Sequence, residues 1–243
     1  MEAPTTPAEA PAPAPIPPTP TPDVPTGLVG LPYAPGPFSI ASDRAPHYYI
    51  DVFLPQERSY YGILTLQVRG SWNWLEVLRV YCYAMADKSG AVAHGNPQRD
   101  PAKPFGDTPT GWYNGTIARF APGQIKDPET LRSKGPYGYV ALTATPNQLP
   151  GRALGKAWEA QLNGRYGILI HSGDLSPHGF LRPTYGCIRL GNEDLKTLLS
   201  MIPNLKTITV IVNEFPWTML ESAAGQLRMD EHGKTTRVAV GSL

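Results

Sequence analysis

Proline limits what this chain can fold into more than any other residue type, because its distribution is strongly uneven. Half of the 28 prolines among the 243 residues lie in residues 1–46, including the run APAPAPIPPTPTP. Each proline fixes φ and removes a backbone N–H donor, which favours extended, solvated backbone over a packed core. Residues 1–46 are therefore predicted to form a disordered or semi-rigid spacer, and a ligand for an SH3-type domain is the alternative.

From residue 47 onwards the chain changes to runs of β-branched and aromatic residues separated by turn-rich segments. Such runs are typical of strands, and they cover 48–54, 62–68, 75–85, 137–143, 166–171 and 207–212. One helix is predicted from Asn192, as its N-cap, to Pro203, which ends it. The pattern predicts a mostly β (β-rich α+β) single domain over 47–213 with one or two helices. The tail, 214–243, is ambiguous; packing on the domain and a short strand at 236–240 are one interpretation.

Charge and cysteine content exclude several classes of protein. Lys and Arg number 21 against 20 Asp and Glu, a net charge of +1, which argues against a nucleic-acid binder or a polybasic membrane protein. No apolar run approaches the roughly 20 residues of a membrane-spanning helix. The two cysteines, Cys82 and Cys187, cannot form a disulfide framework.

The start of the chain lacks the pattern of a secretory signal, which needs a positive segment followed by an apolar one. Met1 is followed by Glu2 and prolines, and no Lys or Arg occurs before Arg44. Two interpretations stay open: the protein is not exported by this route, or the sequence begins after a leader that has been removed.

Residue types that support nucleophilic catalysis are concentrated in the stretch 166–194. His171 ends a predicted strand, and Gly186 allows a tight turn at Cys187. A histidine in reach of a cysteine can take the thiol proton, and an imidazolium beside it holds the thiolate at neutral pH. Backbone N–H groups around Gly186 and Cys187 are candidates to bind an oxyanion. Arg189 is suited to bind a carboxylate in a bidentate manner.

Structural roles are the alternative for each of these residues. A lone cysteine in a β protein is commonly a small buried hydrophobe, an interpretation that suits Cys82 within its apolar run. His171 is equally consistent with a core histidine, His178 with a loop residue and Arg189 with a surface charge. A metal site built from His171, His178 and Cys187 matches no common zinc spacing and includes no CxxC.

Taken together, these residues resemble the catalytic motif of the L,D-transpeptidase (YkuD-type) family of bacterial cell-wall enzymes. In that family a histidine on a strand precedes Ser/Thr-His-Gly-Cys, an apolar residue and Arg or Asn. His171 and the run Thr184-Tyr185-Gly186-Cys187-Ile188-Arg189 follow this order. The segment DTPTGWY at 107–113 resembles the family's TPxGxY, Asn192 with Asp194 resembles its N-x-D, and 203–212 resembles its closing strand.

The sequence departs from the family pattern at two positions. Tyr185 stands where most members have histidine, and Ser172 stands where glycine commonly follows the first histidine. We keep His171 as the base, and expect Tyr185 to shape or hydrogen-bond the site and Ser172 to donate to substrate or thiolate. Neither change removes the nucleophile or the base.

The resemblance implies a β-sandwich or barrel domain that acts on peptidoglycan stem peptides in the cell envelope, without a metal or organic cofactor. Cys187 is expected to be the nucleophile and His171 the base, with Gly186 in the catalytic turn. Arg189, Tyr185, Ser172 and Thr184 are expected to bind substrate, and a carbapenem is expected to form a covalent adduct. Alternatives are an L,D-carboxypeptidase on the same site, a cysteine amidase on the same fold and a non-catalytic wall-binding domain.

Other catalytic classes fit the sequence less well. No serine has a lysine three residues later, as penicillin-binding proteins require, and the zinc-peptidase pattern HExxH does not occur. Papain-like enzymes place the cysteine before the histidine in the chain, whereas His171 precedes Cys187.

Overall fold

A computed structural model describes residues 47–70, 73–146, 155–177 and 179–215, together with two short strands in the tail. The predicted spacer at 1–46 lies outside the described residues. The strands are β1 Tyr48–Pro55, β2 Gly62–Arg69, β3 Trp74–Cys82, β4 Gly111–Arg119, β5 Gly138–Ala144, β6 Ile168–His171, β7 Ile188–Arg189, β8 Thr207–Phe215, β9 Leu227–Met229 and β10 Thr235–Arg237. The helices are α1 Lys88–Ala93, α2 Pro128–Lys134, α3 Lys156–Leu162 and α4 Asn192–Met201.

Eight strands form one curled sheet in the order β3-β2-β1-β8-β4-β5-β6-β7. Neighbouring strands are antiparallel except for two parallel pairs, β1 with β8 and β6 with β7. The mostly β fold predicted from the sequence is confirmed. β9 and β10 form a separate antiparallel pair, and β10 overlaps the start of the strand suggested at 236–240, whose remaining residues lie outside the described ones.

The core lies between one face of this sheet and α4. Leu195, Leu198 and Leu199 are the buried residues of α4, and they join the same apolar cluster as the strands. Leucines at spacings of three and four residues form one face of a helix, so this helix is held by burial of that face. Cys82 belongs to the cluster and is fully buried, which confirms its packing role.

The six predicted strands are confirmed as β1, β2, β3, β5, β6 and β8, with small changes at their ends. β4 was not predicted, although it lies at the centre of the sheet between β8 and β5. Its buried positions are Gly111, Tyr113 and Gly115, so two of them carry no apolar side chain. A Cβ at Gly115 would lie 2.7 Å from a Val140 methyl carbon, so close packing requires the residue that hides the strand pattern.

Two details of the helix prediction are wrong. The described residues contain four helices and not one or two, because α1, α2 and α3 have only six or seven residues and carry no long apolar periodicity. The N-cap of α4 is Gly191 and not Asn192. No helix among the described residues is long and apolar enough to cross a membrane.

Candidate active site

Cys187 ends a four-residue turn that starts at Thr184, here called the cysteine turn. Thr184 Oγ1 closes the turn, because it donates to the Cys187 carbonyl at 2.8 Å and accepts from the Gly186 N–H at 3.1 Å. Gly186 has a φ of 95°, a conformation that residues with a Cβ rarely adopt. A Cβ at Gly186 would also overlap Nη2 of Arg165. Both the conformation and the space therefore explain the glycine before the cysteine.

Two other parts of the chain hold the cysteine turn in place. Thr108 is fully buried, and its Oγ1 lies 2.9 Å from the Gly186 carbonyl, to which it donates. Beyond the turn, Arg189 exchanges two backbone hydrogen bonds of 2.8 and 2.9 Å with Tyr83, which follows β3. β7 is therefore bonded on both sides, to β6 and to the segment after β3.

The register of β6 and β7 decides which side chains share a face. The two strands pair Ile170 with Ile188 and His171 with Arg189 in parallel. Ile170 and Ile188 point into the core. Because side chains alternate along a strand, His171, Arg189 and Cys187 lie on the opposite face; Cys187, which directly precedes β7, is level with Leu169, two residues before His171.

His171 is buried, and its ring is held by the next residue. Nδ1 of His171 lies 2.7 Å from the backbone carbonyl of Ser172. A carbonyl oxygen only accepts hydrogen bonds, so Nδ1 donates to Ser172 and, in the neutral ring, Nε2 carries the lone pair; the Ser133 carbonyl is a second backbone acceptor near the ring. Burial lowers the pKa of His171 to about 4, and the charge of Arg189 acts in the same direction. The His171 ring is therefore uncharged at neutral pH.

The Cys187 thiol is partly exposed and lies against β6. Its Sγ accepts from the Leu169 N–H at 3.4 Å and lies 3.6 Å from the Gly167 carbonyl. Burial raises the pKa of the Cys187 thiol, while the Leu169 N–H and the charge of Arg165 oppose the rise. With the pKa of His171 lowered and that of Cys187 raised, these directions favour a neutral imidazole and a neutral thiol at neutral pH.

The loop after His171 is fixed by α2 and α4. The Asp174 N–H donates to the carbonyl of Arg132 at 2.9 Å, near the end of α2. The Gly173 N–H donates to Asn192 Oδ1 at 3.2 Å, at the first turn of α4. Asn192, predicted as a helix cap, instead accepts a hydrogen bond from the loop that directly follows His171.

Arg189 is 7% exposed, and its guanidinium is bonded to backbone. Nη1 donates to the Asp174 carbonyl at 2.9 Å, and Nη2 donates to the Ser133 carbonyl at 3.3 Å. Nε is buried with no hydrogen-bond partner among the described residues. Both Nη groups of Arg189, which the sequence analysis expected to bind a substrate carboxylate, thus donate to backbone carbonyls.

Tyr185 projects from the cysteine turn onto a surface made by α1 and the loop that follows it. It is 59% exposed, and a Cβ at Gly90 would overlap its ring. The Tyr185 ring meets Phe105 edge to face at 5.3 Å, and Phe105 stacks on His94 at 3.7 Å. Tyr185 is thus the accessible aromatic residue beside Cys187.

The remaining predicted residues have different surroundings. Thr184 is 8% exposed, and Ser172 is fully buried with no hydrogen-bond partner for its Oγ among the described residues. His178 lies outside the described residues. Within the part of the chain that the structure describes, no three His, Cys, Asp or Glu side chains gather as in a metal site.

The comparison with protein families is consistent with this geometry. A model of the L,D-transpeptidase catalytic domain, YkuD, matches residues 47–240. The chain belongs to the YkuD family. Membership assigns L,D-transpeptidase activity at the level of the family, and peptidoglycan as the polymer on which the family acts.

Comparisons with individual proteins add little to the YkuD assignment. Among solved structures, the chain is similar to the one titled "Structure of Bdellovibrio bacteriovorus Bd1075", with 17% identity and a TM-score of 0.42. The match covers 69% of this chain and 48% of that chain, so this YkuD protein spans about half of the length of that one. No curated protein sequence matches the chain.

Sequence reasoning missed two buried side chains that contact the cysteine turn. Thr108 lies in the DTPTGWY segment that supported the family resemblance, so the sequence could have indicated that this residue matters. The sequence could not indicate that Thr108 donates to the Gly186 carbonyl. Arg165 had no signal, because a charged residue before a strand is normally solvated. Only the fold shows that it is 4% exposed.

The hydrogen bond from Thr108 to the cysteine turn gives a prediction about stability. We expect Thr108→Val to lower the free energy of unfolding by about 1–3 kcal/mol, because the buried Gly186 carbonyl loses its donor. Thr116→Val, on the exposed side of β4, is the matched control and should change stability by less than about 0.5 kcal/mol. Urea unfolding measures both, and equal effects of the two substitutions would contradict the prediction.

Proposed function

We propose that this protein is a cysteine L,D-transpeptidase acting on peptidoglycan stem peptides through an acyl-thioenzyme. The observation that carries the proposal is the pairing of β6 with β7. In this pairing His171, with an acceptor lone pair on Nε2, is on the same face as Cys187, which directly precedes β7. A nucleophile and a base held in this way are the minimum requirement for nucleophilic acyl transfer.

In the acylation step, Cys187 Sγ attacks the carbonyl carbon at the L-centre of the diamino acid. His171 Nε2 takes the thiol proton as the S–C bond forms, and delivers it to the amine of the leaving terminal D-Ala as the amide C–N bond breaks. The neutral state of His171 suits this role, because its lone pair is free at neutral pH. The thiol proton therefore leaves during attack and not before it.

The tetrahedral oxyanion needs donors at the cysteine turn. The Gly186 N–H already donates to Thr184 Oγ1, so it serves an oxyanion only by exchanging that partner. We assign the principal donor role to the Cys187 N–H, on the same residue as the nucleophile. The Thr184 and Thr108 hydroxyls then act by fixing the turn that carries this N–H.

The second step transfers the acyl group from Cys187 to an acceptor. Attack by a diamino-acid side-chain amine gives a 3→3 cross-link, attack by a free D-amino acid exchanges the terminal residue, and attack by water trims the stem. In each case His171 takes a proton from the acceptor and returns one to the thiol. A lipoprotein amine is another acceptor of the same chemistry.

The four residues predicted to bind substrate differ in how far they are exposed to solvent. Tyr185 alone of the four is exposed, and we propose that it contacts the substrate directly. Thr184, Ser172 and Arg189 are each less than a tenth exposed, and we propose that they act through the turn and loop they hold. Because peptidoglycan is cross-linked outside the cytoplasmic membrane, we place the protein in the cell envelope, with 1–46 as the spacer.

Purified muropeptides test the reaction. The full chain is incubated with a disaccharide tetrapeptide, and the products are separated by chromatography and identified by mass. A cross-linked dimer that Cys187→Ala does not form supports the transpeptidase, and a shortened stem alone identifies an L,D-carboxypeptidase. Cleavage between sugar and peptide identifies an amidase, and binding without any product identifies a wall-binding domain; either result contradicts the proposal.

A further inference from the structure

Arg165 is a buried cation between α3 and β6 that the proposed mechanism does not use. It is 4% exposed. Its guanidinium donates to three backbone carbonyls of one loop: Nη1 to Pro101 at 2.6 Å and to Lys103 at 3.0 Å, and Nη2 to Gly106 at 2.6 Å. One side chain therefore organises the whole loop at 101–106.

Among the described residues, no carboxylate lies within ion-pair distance of this cation. The carboxylate of Asp107 acts on Arg165 from a distance. Its Oδ1 lies 4.0 Å from Nε of Arg99 and accepts a hydrogen bond from the Ala86 N–H. Burying a charge without an opposite charge is costly. A buried positive charge of this kind stabilises the ionised form of a nearby group that can lose a proton.

The group that meets this requirement is the cysteine turn. Gly186 lies so close to the guanidinium that a Cβ there would overlap Nη2 of Arg165 and the Gly106 carbonyl. The residue after Gly186 is Cys187, which acquires a negative charge when its S–H bond breaks and the proton moves to Nε2 of His171. The turn, the loop and the cation thus form one packed unit.

We propose that Arg165 is a positioning residue, which fixes the cysteine turn on the 101–106 loop and supplies the fixed positive charge for the Cys187 thiolate. The inference rests on Cys187 as the nucleophile of the proposed function. The effect of this charge can be measured without substrate, because the Cys187 thiol of the free protein also ionises as the pH is raised.

The electrostatics of the thiol agree with this role. Burial raises the pKa of Cys187, and among the charged groups that lower it Arg165 has the largest effect, ahead of Arg189 and Lys134. His171 faces the same site but carries no charge at neutral pH. Burial also lowers the pKa of Arg165, which Tyr113, Cys187, Asp107 and Asp100 oppose.

The test compares alkylation of Cys187 by iodoacetamide from pH 6 to 10.5 in the wild type, Arg165→Gln and Arg165→Lys. Gln keeps donors for the loop carbonyls but removes the charge, whereas Lys keeps the charge. We expect Arg165→Gln to slow alkylation at pH 7 about tenfold, equivalent to a rise of about one unit in the thiol pKa. Arg165→Lys should recover most of the lost rate.

Arg58→Gln is the matched control, because Arg58 is also a buried arginine, 6% exposed and bonded to the Pro55 carbonyl and to Glu214. It should destabilise the protein without moving the alkylation profile. Circular dichroism checks that each variant is folded, and Arg165→Met replaces Arg165→Gln if the Gln variant does not fold. Cys187→Ala shows whether the labelled thiol is Cys187.

Identical alkylation profiles for Arg165→Lys and Arg165→Gln would overturn the proposal. An equal shift of the profile in Arg58→Gln would also overturn it. Because no muropeptide is used, failure here is distinct from failure of the proposed reaction.

Discussion

We expect the wild-type protein to form a covalent adduct with a carbapenem and the Cys187→Ala variant to form none. The lactam carbonyl takes the place of the stem-peptide carbonyl, so the adduct requires Sγ and no acceptor. Intact-protein mass spectrometry measures the change: the wild-type mass rises by one carbapenem, and the variant mass stays unchanged. Loss of the nucleophile in an enzyme of this kind removes about a millionfold of rate, which makes this the largest expected effect.

Cys82→Ala is the control for that experiment, because Cys82 is the second cysteine of the chain and is fully buried in the core. Burial also raises the pKa of the Cys82 thiol, so it is a poor nucleophile. The Cys82 variant should form the adduct as the wild type does. An adduct on Cys187→Ala, or none on the wild type, would refute the assignment of the nucleophile.

His171→Ala will slow carbapenem acylation by about 10²- to 10⁴-fold, the usual contribution of a general base. The decrease should appear in the rate of adduct formation at pH 7. Burial raises the pKa of the Cys187 thiol, so the thiol is protonated at this pH and needs a base to take its proton. His47→Ala is the matched control, since His47 precedes β1, and β8, β4 and β5 separate β1 from β6 in the sheet.

The pH dependence of the wild-type rate tests the state of His171. Its pKa is lowered to about 4, so protonation removes the base only as the pH falls through that value. The acid limb of the acylation rate should therefore lie near pH 4 and not near the ordinary value of about 6.5. An acid limb between pH 6 and 7, or the same profile in His171→Ala, would contradict the neutral-base mechanism.

The strands were predictable where β-branched and aromatic residues cluster, as in β1 and β8, because such side chains pack well in a buried sheet and leave a short apolar run in the sequence. β4 escaped prediction because Gly111 and Gly115 occupy buried positions where neighbouring strands and helix α3 leave no room for a side chain. The close packing around β4 at the centre of the sheet therefore requires glycines, and these interrupt the run of large apolar residues by which a strand is predicted.

For the candidate site, the sequence indicated the residue types and their order: a histidine at a strand end, then a glycine before a cysteine. These follow from local chemistry, since each residue must be present for its own function. Sequence alone could not assign roles to Arg189 and Asn192. A guanidinium or an amide bonds whichever partner the fold brings near, and here the partners are backbone groups of α2 and of the loop after His171.

The uneven distribution of proline and the strand-forming runs are properties of the sequence itself, and the motifs around His171 and Cys187, with the DTPTGWY segment, were sufficient to point to the YkuD family. The tertiary structure decided the rest: the shared face of His171 and Cys187, the tautomer of the imidazole, and the burial of Arg165 beneath the cysteine turn. The physical reason is that protonation and charge depend on burial and on partners distant in sequence, such as Arg165 and the 101–106 loop, which only the folded chain brings together.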